Sequence, residues 1–75
     1  MKKYFIERYD IQSDEFDYLR VTEGELSDFI SDQSDATLMG LRDAQIEVHY
    51  LLEGDIFSGL HCVYGIFPFI GKEVK

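Results

Sequence analysis

The chain has 75 residues, of which 15 are acidic and 7 basic, so its net charge is −8 at pH 7. Nucleic acids and anionic membrane surfaces attract proteins through clusters of Lys and Arg, so this balance excludes both as direct partners. The single cysteine excludes an internal disulfide and is typical of a reducing compartment, so we expect a cytoplasmic protein.

A chain of this length makes one domain, residues 1–75, and buries only about 60–65% of the surface that its unfolded form exposes. Six Phe and five Tyr supply the large apolar side chains that such a core needs. The charged start is followed by too short an apolar run for a signal peptide, and no stretch reaches the about 20 apolar residues of a membrane-spanning helix. We expect a soluble domain encoded by a complete short reading frame.

Aromatic and β-branched residues predict a strand over residues 3–11 and a second strand over residues 16–21. The polar residues 12–15 between them are typical of a turn. The first third of the chain is therefore expected to form a β-hairpin.

The signals change at Thr22, which together with Glu25 fits a capping box for the first turn of a helix. Leu26, Phe29 and Ile30 then recur at spacings of three and four, which gives one apolar face. This pattern predicts a helix over residues 23–33.

The second half of the chain predicts strands. Residues 37–41 indicate a short strand around Gly40, and residues 44–53 alternate between apolar and polar positions as a half-buried strand does. A turn at residues 54–55 would pair Leu52 with Phe57 and Val48 with His61. Residues 66–70 form an edge strand or a crossover, because Pro68 excludes a central position.

Together these elements predict an α+β fold in the order ββαββ(β). The fold is a small antiparallel sheet of four to five strands with one α-helix packed on one face.

Nine carboxylates and one cation, Arg20, lie between residues 10 and 35, and this stretch carries the whole net charge. On the predicted helix, spacings of three and four place four carboxylates in one column, about 5 Å apart along the axis. The column consists of Glu25, Asp28, Asp32 and Asp35. The first hairpin extends this acidic surface with Asp14, Glu15, Asp17 and Tyr18. The pattern predicts a surface that binds a basic protein, and a solvated face that only aids solubility is the alternative.

Other constellations give no reaction chemistry. The hairpin carboxylates match no calcium loop, and two histidines and one cysteine in separate places make no zinc site. His61 and Cys62 are neighbours on a predicted strand and point to opposite faces, so they form no catalytic pair. We expect no metal, no cofactor and no enzymatic activity.

In size, acidity and tyrosine content the whole chain resembles the small inhibitors that phages use against restriction and CRISPR systems, without sharing a motif with them. That resemblance implies a DNA mimic that occupies the nucleic-acid channel of a basic protein in the host cytoplasm. An immunity protein or antitoxin against a basic toxin requires the same electrostatics. A third hypothesis is a homodimeric structural module that joins through an apolar sheet face around Leu51, Leu60 and Tyr64, with the acidity serving solubility.

Overall fold

The chain folds into a four-stranded antiparallel sheet with one α-helix packed against one of its faces. The computed structural model describes residues 2–22, 24, 27–58 and 62–70. In chain order the elements are β1 (Tyr4–Asp10), β2 (Glu15–Arg20), β3 (Asp28–Ile30), a 3-10 helix (Gln33–Asp35), α1 (Leu41–Ser58) and β4 (Cys62–Pro68). The predicted α+β class is therefore confirmed. Within these ranges, no helix is long and apolar enough to cross a membrane.

The predicted hairpin is confirmed as β1 and β2, and its register pairs Asp10 with Glu15. The Asp10 carboxylate accepts a hydrogen bond from the backbone N–H of Gln12 at 2.9 Å. Asp14 has a φ of 59°, a left-handed conformation that aspartate tolerates better than most residues because its short side chain hydrogen-bonds locally. Two of the hairpin carboxylates therefore shape the turn.

The strand order is β3-β2-β1-β4, so β4 returns from the helix to pair with β1. The register places Ile6 opposite Ile66 and Tyr4 opposite Pro68. β4 lies at an edge of the sheet, which is one of the two arrangements that Pro68 left open for residues 66–70.

A later segment fills the gap where β1 and β2 diverge, since the two strands pair only over residues 7–10 and 15–18. The Thr37 N–H donates to the Leu19 carbonyl at 3.1 Å, and the Val21 N–H donates to the Thr37 hydroxyl at 2.8 Å. Tyr4 and Met39 exchange two backbone hydrogen bonds of 2.7 and 2.9 Å. The predicted strand in this segment is therefore reduced to a single bridge, after which α1 begins.

The strand predicted from the alternation of residues 44–53 is wrong, because this segment lies in α1. Ala44, Val48 and Leu51, at spacings of four and three, pack against the sheet. Ile46 and Tyr50 are exposed on the outer side of the helix. The apolar residues thus fit both the period of a helix and the alternation of a strand. The alternation arises from apolar side chains that the helix leaves in solvent.

The composition of this segment explains its helical state, since Ala, Gln, Glu and Leu, which favour helices, make up most of residues 44–53. The turn predicted at residues 54–55 lies inside α1 and is also wrong. The same holds for the predicted pairing of Leu52 with Phe57, while His61 lies outside the described residues.

The helix predicted over residues 23–33 is wrong, because part of that segment forms β3. Gly24 has a φ of 79°, which is incompatible with a right-handed helix. β3 pairs Phe29 with Leu19 and so brings the Phe29 side chain against the core. Tertiary packing of this kind outweighs the propensity of a short helix. Glu25 and Leu26 lie outside the described residues.

The core lies between α1 and one face of the sheet, which we call the covered face. Ile6 and Leu19 are fully buried there, with 0% of their surface exposed, and Ala44 of α1 packs on them. Burial of one such Ile or Leu side chain contributes about 1.5–3 kcal/mol to stability. Partly buried side chains surround them: Tyr4, Phe29, Met39, Val48, Leu51 and Ile66.

Candidate protein-binding surface

The carboxylate column does not form as predicted. Asp28 begins β3, whereas Asp32 caps the 3-10 helix and Asp35 ends it. Glu25 is outside the described residues. A strand and a 3-10 turn replace the helix, so these side chains do not share a helical face with a regular spacing. Their role in binding a partner stays a prediction.

Two of the predicted binding carboxylates are held by arginines. Asp17 accepts two hydrogen bonds from the Arg8 guanidinium, one of them from Nε at 2.9 Å, and these raise the pKa of Arg8. The same guanidinium lies 3.8 Å from the centroid of the Phe29 ring. Arg20 pairs with Asp28 at 2.9 Å. Part of the predicted acidic surface is therefore neutralised within the fold.

Two further acidic side chains, Asp14 and Asp32, also make local contacts. The Tyr9 hydroxyl donates to Asp14, which raises the pKa of Tyr9. Asp32 accepts from the hydroxyl and the N–H of Ser34, at 2.8 and 3.0 Å, and these bonds lower the pKa of Asp32.

The acidic surface falls into two groups. Asp14 and Glu15 form the turn group at one end of β2, and Asp28, Asp32 and Asp35 form the β3 group. Asp28 lies opposite Arg20 of β2. Glu15 and Arg20 are five residues apart along β2, which corresponds to about 17 Å. The charge is therefore distributed around the sheet.

The second face of the sheet, which we call the open face, carries no helix in the part of the chain that the structure describes. The register and the alternation of side chains along each strand define its members. They are Phe5, Glu7 and Tyr9 of β1, Phe16, Tyr18 and Arg20 of β2, Asp28 and Ile30 of β3, and Val63, Gly65 and Phe67 of β4. Phe16 and Val63 are each 53% exposed and Phe67 is 43% exposed. Large apolar side chains therefore face solvent.

The aromatic rings of the open face pack on one another. Phe5 lies between Tyr18 and Phe67, with 6.0 Å between ring centroids on each side, and is only 7% exposed. Tyr9 and Phe16 are closer, with centroids 4.8 Å apart. The Phe67 ring lies over Gly65, since a Cβ at Gly65 would come within 2.7 Å of the ring. These contacts form an aromatic layer of two groups, one centred on Phe5 and one made of Tyr9 and Phe16.

Glu7 stands in the middle of this layer. It lies opposite Tyr18 of β2 and opposite Gly65 of β4, and its side chain is half-buried. Burial raises the pKa of Tyr18, and the nearby charge of Glu7 raises it further. The open face therefore combines aromatic rings with a central carboxylate, an arrangement that can bind a cation.

The apolar sheet face predicted as a dimer contact does not form as expected. Leu51 is on α1 and packs against the core. Tyr64 is on the covered face, with its ring centroid 6.2 Å from that of Phe29. Leu60 lies outside the described residues. The exposed apolar sheet surface is the open face, which is built from other residues.

Candidate metal ligands do not converge: among the described residues, no group of three His, Cys, Asp or Glu side chains could hold a metal ion. His49 and Glu53 form an exposed pair on α1, with 3.4 Å between nitrogen and oxygen. Cys62 is half-buried on β4.

Tyr18 was predicted as a binding residue, whereas its neighbours on the open face, above all Glu7, were not. Alternation within β1 and β2 already indicated which residues share a face. The missing information was which of the two faces the helix covers, and the wrong placement of the helix concealed it.

The fold and its open face define a small α+β domain with an exposed aromatic sheet surface and carboxylates at its centre and ends. No protein-family model, no curated protein and no solved structure matches the chain.

Proposed function

We propose that this protein is a small, non-enzymatic protein-binding inhibitor of a basic partner in the cytoplasm. The observation that carries the proposal is the open face, where Phe16, Val63 and Phe67 are exposed. The turn group follows Asp10 at the end of β1 and β2, and Asp28 of the β3 group lies on the edge strand opposite β4. Aromatic side chains are enriched at the centres of protein interfaces, and charged residues at the rim guide the encounter.

The partner class follows from charge. A chain of net charge −8 repels nucleic acid and attracts cationic surfaces. Proteins that bind DNA or RNA, and toxins that cleave them, carry such surfaces. An inhibitor of a nucleic-acid-handling enzyme and an antitoxin therefore use the same interface, and both fall within this proposal.

Electrostatic attraction to a basic partner does not require that the carboxylates have the spacing of phosphates along a nucleic acid. Asp17 and Asp28 are paired with arginines, and the other carboxylates stand at separate places around the sheet. Distributed charge of this kind favours rapid, salt-sensitive association with a basic surface. Steric occupation by the open face then supplies the inhibition.

Affinity capture with charge reversals tests the proposal. The immobilised protein is expected to retain basic proteins from a lysate in a salt-sensitive manner. The double variant Asp14→Lys/Glu15→Lys should lose most of this capture, because it reverses the turn group beside the open face. The double variant Asp43→Lys/Glu53→Lys, at two exposed positions of α1, makes the same change of net charge; it is the matched control and should retain capture.

Circular dichroism would establish that each variant is folded before capture is compared. Retention of basic proteins that is unchanged by the double reversal and by raised salt would contradict the proposal. Equal losses of capture for the turn variant and for the double control variant on α1 would indicate unspecific ion exchange and would contradict the proposal as well.

A further inference from the structure

Glu7 lies within an array of side chains on the open face, at the last β1–β2 pair before the two strands diverge. Its row along β1 contains Phe5 and Tyr9, and the rows on either side are set by the pairing of Glu7 with Tyr18 and with Gly65. Cross-strand neighbours of this kind have Cβ atoms about 5 Å apart, and diagonal neighbours remain within reach of aromatic side chains. Rings of β1, β2 and β4 therefore lie around the carboxylate, and Arg20, the next open-face residue of β2 beyond Tyr18, pairs with Asp28.

A carboxylate at such a position is not explained by packing. A half-buried charge among rings is unfavourable unless it is hydrogen-bonded or paired with an opposite charge. An ionised carboxylate accepts about four hydrogen bonds through its two oxygens. Glu7 therefore keeps acceptor capacity towards the solvent side of the open face.

The covered face of the same sheet shows which cation this chemistry suits. There the Arg8 guanidinium makes two hydrogen bonds to Asp17 while it lies 3.8 Å from the Phe29 ring centroid. A planar guanidinium can pair with a carboxylate and stack on a ring at the same time, whereas a lysine ammonium lacks the flat surface.

We infer that the open face binds an arginine side chain of the basic partner, with its guanidinium paired to Glu7 and stacked on the surrounding rings. This inference rests on the proposed function and adds the residue type that the partner presents. Phe16 is the most accessible ring of the array, at 53% exposure, and provides the stacking surface next to Glu7.

Size and charge favour a basic protein over a second copy of this chain. Four strands at about 4.8 Å spacing and about six residues in length give the open face an area of about 400 Å². A stable interface needs about 800 Å² on each partner, so the contact must extend over the carboxylates at both ends. A second copy would meet like charge there, whereas a basic protein meets opposite charge.

Two peptides of equal charge, hexa-arginine and hexa-lysine, serve as probes for titration by NMR of the ¹⁵N-labelled full chain. We expect hexa-arginine to shift the amides of β1, β2 and β4 around Glu7 and to bind about fivefold more tightly than hexa-lysine. Glu7→Gln should weaken hexa-arginine binding about tenfold, since the amide keeps the shape but loses the charge. Glu53→Gln on α1 should leave it unchanged.

A second variant separates stacking from charge. Phe16→Ala should reduce the preference for arginine over lysine about threefold, and Tyr50→Ala, which removes an exposed ring from α1, should not. Melting curves establish that each variant is folded.

Equal affinity of both peptides, with shifts confined to the turn and β3 groups, would overturn the arginine inference and leave the basic-partner proposal standing. Absence of binding by either peptide would overturn both. Self-association of the peptide-free chain through the open face, seen as broadening of its amides with rising concentration, would identify a second copy as the occupant and overturn the inference.

Discussion

The two faces of the sheet are built from alternating residues of the same strands, yet they reach stability in different ways. On the covered face, Ile6 and Leu19 are fully excluded from water by α1. On the open face, Phe5 is 7% exposed because Tyr18 and Phe67 flank it, while the outer rings remain in solvent. The helix α1 buries side chains of the covered face, whereas side chains of the open face are buried only where neighbouring rings cover them.

Each face also carries one arginine–aspartate pair, and the surroundings of the pairs differ. Arg8 and Asp17 on the covered face have side chains that are 25% and 28% exposed, and the guanidinium stacks on Phe29. Arg20 and Asp28 on the open face are 45% and 52% exposed. The comparison predicts that the covered face supplies most of the stability and that the open face is available for binding.

The largest expected effect separates the buried and exposed apolar residues. Leu19→Ala should lower the free energy of unfolding by about 2–5 kcal/mol, because it leaves a cavity beneath α1. Phe16→Ala on the open face should cost under about 1 kcal/mol, since the ring is largely in solvent already. Urea unfolding followed by circular dichroism measures both. Equal losses of unfolding free energy in Leu19→Ala and Phe16→Ala would contradict the predicted difference between the two faces.

Two glycine substitutions test that the helix lies at residues 41–58 and not at residues 23–33. Gly54 lies within α1 and has open space around its Cβ position, so Gly54→Ala should stabilise the protein by about 0.5–1 kcal/mol. Gly24 has a φ of 79°, so Gly24→Ala should destabilise it by about 1 kcal/mol. Thermal unfolding gives the sign of each change. Destabilisation by Gly54→Ala would indicate the turn first predicted there.

Double-mutant cycles on the two ion pairs sharpen the electrostatic comparison. The cycle of Arg8→Met with Asp17→Asn should give a coupling energy of about 1 kcal/mol, because the two hydrogen bonds are partly shielded from water. The cycle of Arg20→Met with Asp28→Asn should give less than about 0.5 kcal/mol, since the pair is exposed and screened. A larger coupling for the exposed pair would reverse the predicted ranking.

The smallest expected effect concerns alkaline pH and the open face. The folded state raises the pKa of Tyr18 above its ordinary value of about 10, through burial and the nearby Glu7. The stability that this phenol contributes is complete below its ordinary pKa and is lost as pH rises through the folded pKa. Tyr18→Phe should therefore reduce the loss of stability above about pH 10, as measured by urea unfolding at several pH values. An unchanged alkaline loss would contradict this assignment.

Local sequence signals succeeded where neighbouring residues decide the structure. Polar residues between two β-rich runs predicted the hairpin, and Pro68 excluded a central position in the sheet for its segment. Both features depend on turn chemistry and backbone donors that act over a few residues. The aromatic residue Tyr18 was named as a binding residue, and its place on the open face agrees with that prediction without testing it.

The candidate site was harder to predict because it depends on which sheet face the helix covers. Residues 44–53 carry apolar side chains at both the helical and the alternating period, so pattern alone allows either structure. A strand over residues 44–53 places Leu51 on a sheet surface. It also conceals that the face carrying Glu7 is the one without a helix.

The sequence by itself determined the charge balance, the β1–β2 hairpin and the α+β class, because these follow from composition and from contacts between near neighbours. Only the tertiary structure decided that Phe29 joins the sheet and that α1 covers Ile6 and Leu19. Burial against distant parts of the chain stabilises those choices more than local propensity does. The open face follows from them, because one helix packs on one face and the rings around Glu7 are left to the solvent or to a partner.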